Sequence, residues 1–452
     1  MRPDLAPPPA AAAAAPNPRP APNAPRPAAP PMAAGGLVAR NAPPLRLPGE
    51  HFAAAVVFWL LGAAALVWVA PDIAAGAFPA AHVVATVHLF TLGWITTTIL
   101  GALYQFLPVA LGVPIRSERL AHLSYALYVP GLALFVGALL AHQMGMMLAG
   151  AALFGTGLLL FCGNLAATLK RAPERNLSWW SLAFAAFFLV STIVLGVSLA
   201  GNLQWDYLGA KRFLAIAVHL HVAIAGWVLL VVVGVAHRLL PMFLLSHGAS
   251  ERPGWWAMRL LAAGTALLLV MHHALSPGVI GAIALLLGAG VVSFLMQAAL
   301  FFRHKKKPAL DPGLRLAAAA LGLLLFALVL APFFLTHGIA APRVATAYVA
   351  ALVFGALSLF VAGHYYKILP FLIWFHRYGP LVGKQSVPRV VDLYAAAPAN
   401  LAAALLGAGA LGLVAATLAG AAWAARGAAL LYAAGAVIVA AQMYTISRRR
   451  PG

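Results

Sequence analysis

Histidine is the residue type in this sequence best suited to carry chemistry. Fifteen histidines occur in a chain of 452 residues in which 63% of the residues are hydrophobic and only 8% are charged. Ionisable groups are costly inside a bilayer and usually face the interior of a helix bundle. Neutral imidazole is also the commonest metal ligand in proteins. The histidines are therefore candidate metal ligands, with hydrogen bonding inside a bundle as the alternative for each one taken alone.

Two of these histidines hold the same place in a repeated segment. The segment has the spacing G-x7-G-x2-[YH]-x2-L-P, and its three copies end at Pro108, Pro241 and Pro370. His88 and His221 each lie 20 residues before the proline, and Ala350 takes this place in the third copy. Five positions that agree at identical spacing in three places indicate internal repetition.

Twelve apolar spans would position these residues, since about 20 apolar residues suffice to cross a bilayer. The spans cover about 51–70, 81–110, 120–142, 145–169, 178–201, 212–244, 255–275, 278–302, 314–336, 343–375, 399–423 and 427–446. The repeated segments fall on the second, sixth and tenth spans. The sequence therefore predicts an all-α integral membrane protein, with twelve transmembrane helices in three four-helix repeats that form a pseudo-threefold bundle over residues 51–446.

The ends of the chain and its charges predict an orientation. Residues 1–50 are rich in Pro and Ala and are expected to be a disordered cytoplasmic arm, and residues 447–452 form a basic cytoplasmic tail. Of the 29 basic residues, 25 fall on the side of the two termini; the other side takes Lys211, Arg212, Arg343 and Arg426. This bias predicts cytoplasmic termini in a multi-pass protein of a bacterial-type inner membrane. Because topology accounts for the net charge of +20, membrane lipid is the expected partner and nucleic acid is not.

Helix direction then predicts a layer of imidazoles near the outer face. His88 and His221 lie about 30 Å along their helices from the repeat prolines. The seventh helix runs outward and carries His272 and His273 to the same depth, and His219 lies half a turn from His221. Residues i and i+2 point about 200° apart on a helix. We therefore expect His221 rather than His219 to join the shared site, with His219 in reserve.

Imidazole ligands without thiolates suit copper, iron or zinc, and haem iron accepts an axial histidine. The hypothesis from the residues is a metal or haem site, with cofactor-binding His88 and His221 and metal-binding His219, His221, His272 and His273. No catalytic residue is assigned. The rim of the same face carries His82, His142 and His337.

A second polar layer lies at the inner ends of the repeat helices. It comprises Tyr104, Gln105, His237, Arg238, His364, Tyr365, Tyr366, Lys367, Trp374 and His376. The favoured interpretation is an interfacial aromatic belt with snorkelling cations; the alternative is a site for an anion or a quinone headgroup. The nine acidic residues lie in the arm, in loops or at span edges. No carboxylate relay crosses the membrane, which argues against a carboxylate-based proton pump.

The motifs resemble subunit I of the haem–copper oxidase superfamily, especially divergent C-type (cbb-type) oxidases and nitric-oxide-related NnrS-type membrane proteins. The segments HLFTLGW from His88, HLHVAIAGW from His219 and VMHHALSP around His272 carry the resemblance, with GALYQFLPV and GHYYKILPF. The resemblance implies twelve helices in three arcs. It also implies a haem ligand on the second helix and copper ligands on the sixth and seventh.

The tenth helix departs from that family pattern, because its outer half from Arg343 to Val361 contains no histidine. Bis-histidine haem is therefore not expected, whereas copper or a single haem at the outer histidines is. The resemblance implies an oxidoreductase-like protein with haem, copper or both, a redox or nitric-oxide-related role, and a redox partner or additional membrane subunit. The alternatives are a non-enzymatic copper or haem carrier or assembly protein, and a transporter.

Overall fold

The computed structural model describes residues 42–337 and 340–451, with the side chain of His337 left out. The amino-terminal arm was predicted to be disordered over residues 1–50. Residues 1–41 of it lie outside the described range. Within it, the first helix begins at Arg46, inside the segment assigned to the arm. The position of the His337 side chain at the outer rim stays a prediction.

The described residues form helices and no strand, and twelve of the helices are long and apolar enough to cross a membrane. They are α1 (Arg46–Ala75), α2 (Ala81–Leu111), α3 (Glu118–Leu140), α4 (Met144–Leu169), α5 (Leu177–Trp205), α6 (Gly209–Leu244), α7 (Arg252–Met271), α8 (Pro277–Arg303), α9 (Pro312–His337), α10 (Pro342–Leu381), α11 (Ala396–Ala419) and α12 (Ala422–Arg448). Each helix overlaps the span predicted for it. The all-helical, multi-pass architecture is thereby confirmed.

Short loops join the helices, so successive helices alternate in direction. We call the end of the bundle at which α1 begins and α12 ends the terminal face, and the other end the opposite face. The loop breaks follow local chemistry. Before α8, for example, Ser276 accepts a hydrogen bond from the Val279 amide at 3.4 Å and Pro277 occupies the first turn, which is a common way to begin a helix.

Helices α2, α6 and α10 are the most buried of the twelve. In their apolar windows 72%, 67% and 83% of the residues are buried, against at most 44% in any other helix. Tightly packed aromatic rings fill the space between α1 and α2, where Trp59 and Trp94 stack with ring centroids 4.1 Å apart. These three helices therefore set the positions of everything in the interior.

Small residues let neighbouring helices approach each other closely, as membrane bundles commonly require. An added Cβ at Gly131 of α3 would lie 2.5 Å from the Phe154 amide nitrogen of α4. One at Gly409 of α11 would lie 2.6 Å from the Tyr432 amide nitrogen of α12. The antiparallel pairs α3–α4 and α11–α12 therefore pack backbone against backbone.

Each of the three central helices contains a π-helical segment. The segments are Leu89–Thr96 in α2, Val222–Leu229 in α6 and Ala351–Leu357 in α10. They begin one residue after His88, His221 and Ala350. Such segments are rare and are frequent at functional sites.

Candidate functional site

An apolar cavity lies among α6, α7, α8, α9 and α10, and we call it the large cavity. Its volume is 370 Å³, and its lining is almost entirely aliphatic and aromatic. Polar groups come from His221 on α6 and Tyr348 on α10. A mostly apolar pocket of a few hundred Å³ with few convergent polar groups is typical of a small-molecule or cofactor site.

The imidazole of His221 has a fixed orientation in this cavity. Its Nδ1 lies 2.8 Å from the Ala217 carbonyl oxygen. Because a carbonyl can only accept a hydrogen bond, Nδ1 carries the proton and donates, and the Nε2 lone pair is available. That lone pair meets the Tyr348 hydroxyl at 3.3 Å. The rings of Phe334 and Tyr348 stack with their centroids 5.2 Å apart, and these centroids lie 5.8 and 5.9 Å from that of the imidazole.

His88 and His219 together line a second space among α2, α3, α4, α5 and α6, the small cavity, whose volume is 90 Å³. His88 Nδ1 donates to the Val84 carbonyl at 2.8 Å, which leaves Nε2 with its lone pair. His219 Nδ1 is buried and makes no hydrogen bond of normal geometry, although the Thr192 backbone lies close enough to interact with the ring. Its ring lies against Gly196 of α5, where an added Cβ would come within 3.0 Å of Cε1.

His219 and His221 therefore occupy different cavities, as the 200° angle between positions i and i+2 requires. The expectation that His88 and His221 meet in one site is not met, because His88 lies with His219 instead. Among the described residues, no group of three or more His, Cys, Asp or Glu side chains is placed to hold a metal ion.

The histidine pair of the seventh helix lines neither cavity, although Leu268 and Leu275 on either side of it line the large cavity. Helix α7 ends at Met271, so His272 and His273 follow it in a turn. His272 Nδ1 donates to the Leu269 carbonyl at 2.7 Å, and the His273 side chain is exposed. Neither residue lines the large or the small cavity.

The rim histidines behave as ordinary surface residues. His82 Nε2 lies 3.2 Å from the Asp72 carboxylate. His142 is exposed and has a positive φ of 55° in the turn between α3 and α4. His82 lies in the first turn of α2 and His142 in the turn between α3 and α4, both at the opposite face, where the sequence places them.

The polar layer near the terminal face is mostly buried, which corrects its interpretation as an interfacial belt. Tyr104, Tyr365 and Tyr366 are at most 2% exposed, and His237 and His364 are 7% and 8% exposed. His364 Nδ1 donates to the Phe360 carbonyl at 2.8 Å, whereas its buried Nε2 has no partner. These side chains face the bundle because the repeat helices that carry them are central.

Lys367 belongs to an ion cluster rather than to a snorkelling layer. Its ammonium and that of Lys307 both donate to the carboxylate of Asp311, just before α9. Burial raises the pKa of the Asp311 carboxyl, but the hydrogen bonds from Lys307 and Lys367 outweigh it, so the pKa lies below its ordinary value. The cluster ties the loop before α9 to α10 and leaves one net positive charge.

Tyr348 is the site residue that sequence reasoning did not find. It lies on α10 two residues before Ala350, the position that aligns with His88 and His221. A phenol in an apolar span, half a turn from a repeat position, was the available signal.

No protein-family model matches this chain, and no curated protein matches it.

The two cavities differ in what they can hold. The large cavity offers one imidazole, two stacked aromatic rings and apolar volume, which suits a mostly apolar group that needs a single nitrogen ligand. A copper centre with three imidazoles does not fit, because His272 and His273 lie elsewhere. The small cavity offers two imidazoles and 90 Å³, which fits an ion such as copper and not a macrocycle.

Proposed function

We propose that this chain is a membrane protein that binds haem in the large cavity through Nε2 of His221. The observation that carries the proposal is the fixed imidazole of His221 in an apolar cavity of 370 Å³. Donation of the second ring nitrogen to a carbonyl or carboxylate is the usual support of a metal-bound histidine, because it fixes the tautomer and the ring plane. The Ala217 carbonyl gives His221 that support.

The remaining residues of the large cavity would orient the group and exclude water. Phe334 and Tyr348 present parallel ring faces. Aliphatic side chains of α7, α8 and α9 line most of the remaining wall. Bound haem would supply electron transfer or the binding of a diatomic ligand such as nitric oxide. The protein residues would orient the bound haem and keep the site at low polarity.

The small cavity supports a separate copper site formed by His88 and His219. Copper accepts imidazole nitrogen readily. The Nε2 lone pair of His88 is fixed by the Val84 carbonyl, and Nδ1 of His219, which makes no hydrogen bond of normal geometry, is a buried polar atom that a ligand would satisfy. Copper and haem would then lie in neighbouring cavities on the two sides of α6.

The same proposal includes three four-helix repeats with pseudo-threefold symmetry. The equal placement of the π-helical segments and the central position of α2, α6 and α10 support it. Cytoplasmic termini in a bacterial-type inner membrane follow from the charge bias. The resemblance to haem–copper oxidase subunit I supports a redox or nitric-oxide-related role with a separate redox partner or membrane subunit.

A haem carrier is the second candidate function. The observation that favours it is the limited contact between α8 and α9, the two helices that flank one side of the large cavity, since an apolar cofactor could leave by that route. A redox protein would cycle its haem between oxidation states with an electron donor. A carrier would instead release it to an apoprotein acceptor such as apomyoglobin.

The experiment is haem reconstitution of the purified protein in detergent, followed by visible spectroscopy and haem quantification. Wild type should take up one haem with a Soret band. His221→Ala should lose at least nine-tenths of it, whereas His304→Ala, which removes an exposed histidine, should not. Equal haem uptake by His221→Ala and wild type would end the proposal.

A further inference from the structure

Each copy of the repeated segment has a second polar position, 22 residues before its proline, which we call the earlier position. It is held by Thr86 in α2, His219 in α6 and Tyr348 in α10. The place 20 residues before the proline, which we call the later position, is held by His88, His221 and Ala350. Because residues i and i+2 point about 200° apart on a helix, the two positions of one helix face different neighbours.

The later position of one central helix pairs with the earlier position of the next central helix. His88 of α2 and His219 of α6 line the small cavity together, and their imidazoles lie close enough to interact electrostatically. His221 of α6 and Tyr348 of α10 line the large cavity together, with Nε2 and the hydroxyl oxygen 3.3 Å apart. The two cavities therefore contain corresponding pairs, which differ in one member: His219 in one and Tyr348 in the other.

The third pair, from α10 and α2, contains no nitrogen ligand. Its members are Ala350 and Thr86, and the Thr86 hydroxyl donates to the His82 carbonyl at 2.8 Å. The rings of Phe90 and Phe354 meet between the same two helices, with their centroids 4.7 Å apart. The three pairs thus offer two imidazoles, one imidazole with a phenol, and no imidazole.

The phenol changes which ligand the large cavity can take. A metal ion bound by two imidazoles lies about 2 Å from each nitrogen, so it needs the space between them. The Tyr348 hydroxyl occupies that space beside His221 Nε2. A phenol, with an ordinary pKa of about 10, keeps its proton at neutral pH, and copper prefers imidazole nitrogen to such a group.

We propose that Tyr348 determines the ligand specificity of the large cavity by excluding copper from His221. Copper binds nitrogen ligands more tightly than the other divalent first-row metals do, so a second imidazole facing His221 would make the large cavity a copper site. With a phenol there, His221 offers a single nitrogen, which suits haem and not a bare ion. This inference rests on the two sites of the proposed function and assigns their difference to one side chain.

The test is the copper content of haem-free protein, measured by elemental analysis after dialysis against a weak chelator. Tyr348→His should bind one copper per chain more than wild type. Tyr348→Phe removes the hydroxyl without adding a nitrogen and should bind no more than wild type. The double variant His221→Ala/Tyr348→His should lose the additional copper. Electron paramagnetic resonance of Cu(II) should show hyperfine splitting from imidazole nitrogen in the additional site.

One further variant separates this proposal from the proposed copper site of the small cavity. His88→Ala/Tyr348→His lacks the small-cavity pair and should keep one copper, at His221. No copper in wild type, together with one copper in Tyr348→His, would overturn the small-cavity site and support the specificity role of Tyr348. A copper content in Tyr348→His equal to that of wild type, or lower, would overturn that role.

Discussion

The hydroxyl of Tyr348 lies 3.3 Å from Nε2 of His221, and this contact joins α10 to α6 across the large cavity. The phenol is the hydrogen-bond partner of the nitrogen that we propose as the haem ligand. Haem binding would therefore have to break this bond. Tyr348 and haem compete for the same lone pair.

Removal of the phenol should strengthen haem binding. A net hydrogen bond contributes about 0.5–1.5 kcal/mol, so Tyr348→Phe should bind haem roughly two- to tenfold more tightly than wild type. A haem titration followed at the Soret band measures this. Weaker binding in Tyr348→Phe would mean that the phenol helps to hold the cofactor instead of competing for its ligand.

Copper binding should depend on the pair in the small cavity. His88→Ala and His219→Ala should each lose stoichiometric copper, measured by elemental analysis after dialysis against a weak chelator. Gly196→Ala should weaken copper binding as well, because its Cβ would come within 3.0 Å of the His219 ring. Full copper content in His219→Ala would contradict the two-imidazole site. His221→Ala should retain its copper.

The histidine pair after α7 should contribute to neither site. His272→Ala/His273→Ala should bind haem and copper as wild type does, because both residues lie outside the two cavities. The family resemblance implies the contrary, with copper lost in this double variant. The copper content of this one variant therefore separates the structural account from the resemblance.

Asp311 should make the stability of the protein depend on pH in the acid range. Its pKa is lowered in the folded protein, so its contribution is complete above the ordinary carboxyl pKa and is lost as pH falls through the lower, folded value. Asp311→Asn leaves two ammonium groups together in a half-buried site and should cost about 2 kcal/mol at neutral pH, as the loss of a hydrogen bond to a charged group does.

Thermal unfolding in detergent between pH 3 and pH 7 measures this effect. Wild type should lose stability at the acid end, and Asp311→Asn should show a smaller loss there. Asp392→Asn is the control, because Asp392 and Arg389 form an exposed pair and should contribute little. Identical pH profiles for wild type and Asp311→Asn would rule out this role for Asp311.

The sequence was sufficient for the architecture because hydrophobic span length is a strong signal. It located all twelve helices, although it began α1 five residues late and extended the seventh span past Met271. That second difference mattered, because the end of a helix decides where His272 and His273 point. Helix termini are the least reliable part of sequence interpretation, since they depend on local capping and packing.

The sequence predicts only part of the candidate site. The opposed directions of His219 and His221 follow from helical geometry, but the choice between them does not. The structure places His88 and His219 in one cavity, and this pairing depends on how α2 and α6 pack, which the spacing of residues within one helix does not specify. Tyr348 was missed because partners across a cavity depend on packing between helices distant in sequence.

The most direct measurement of the central claim is the Soret absorbance of haem-reconstituted protein in three forms. They are wild type, His221→Ala and the double variant His272→Ala/His273→Ala. The account predicts one haem per chain in wild type and in the double variant, and almost none in His221→Ala. Haem retained by His221→Ala, or lost from the double variant alone, would contradict it.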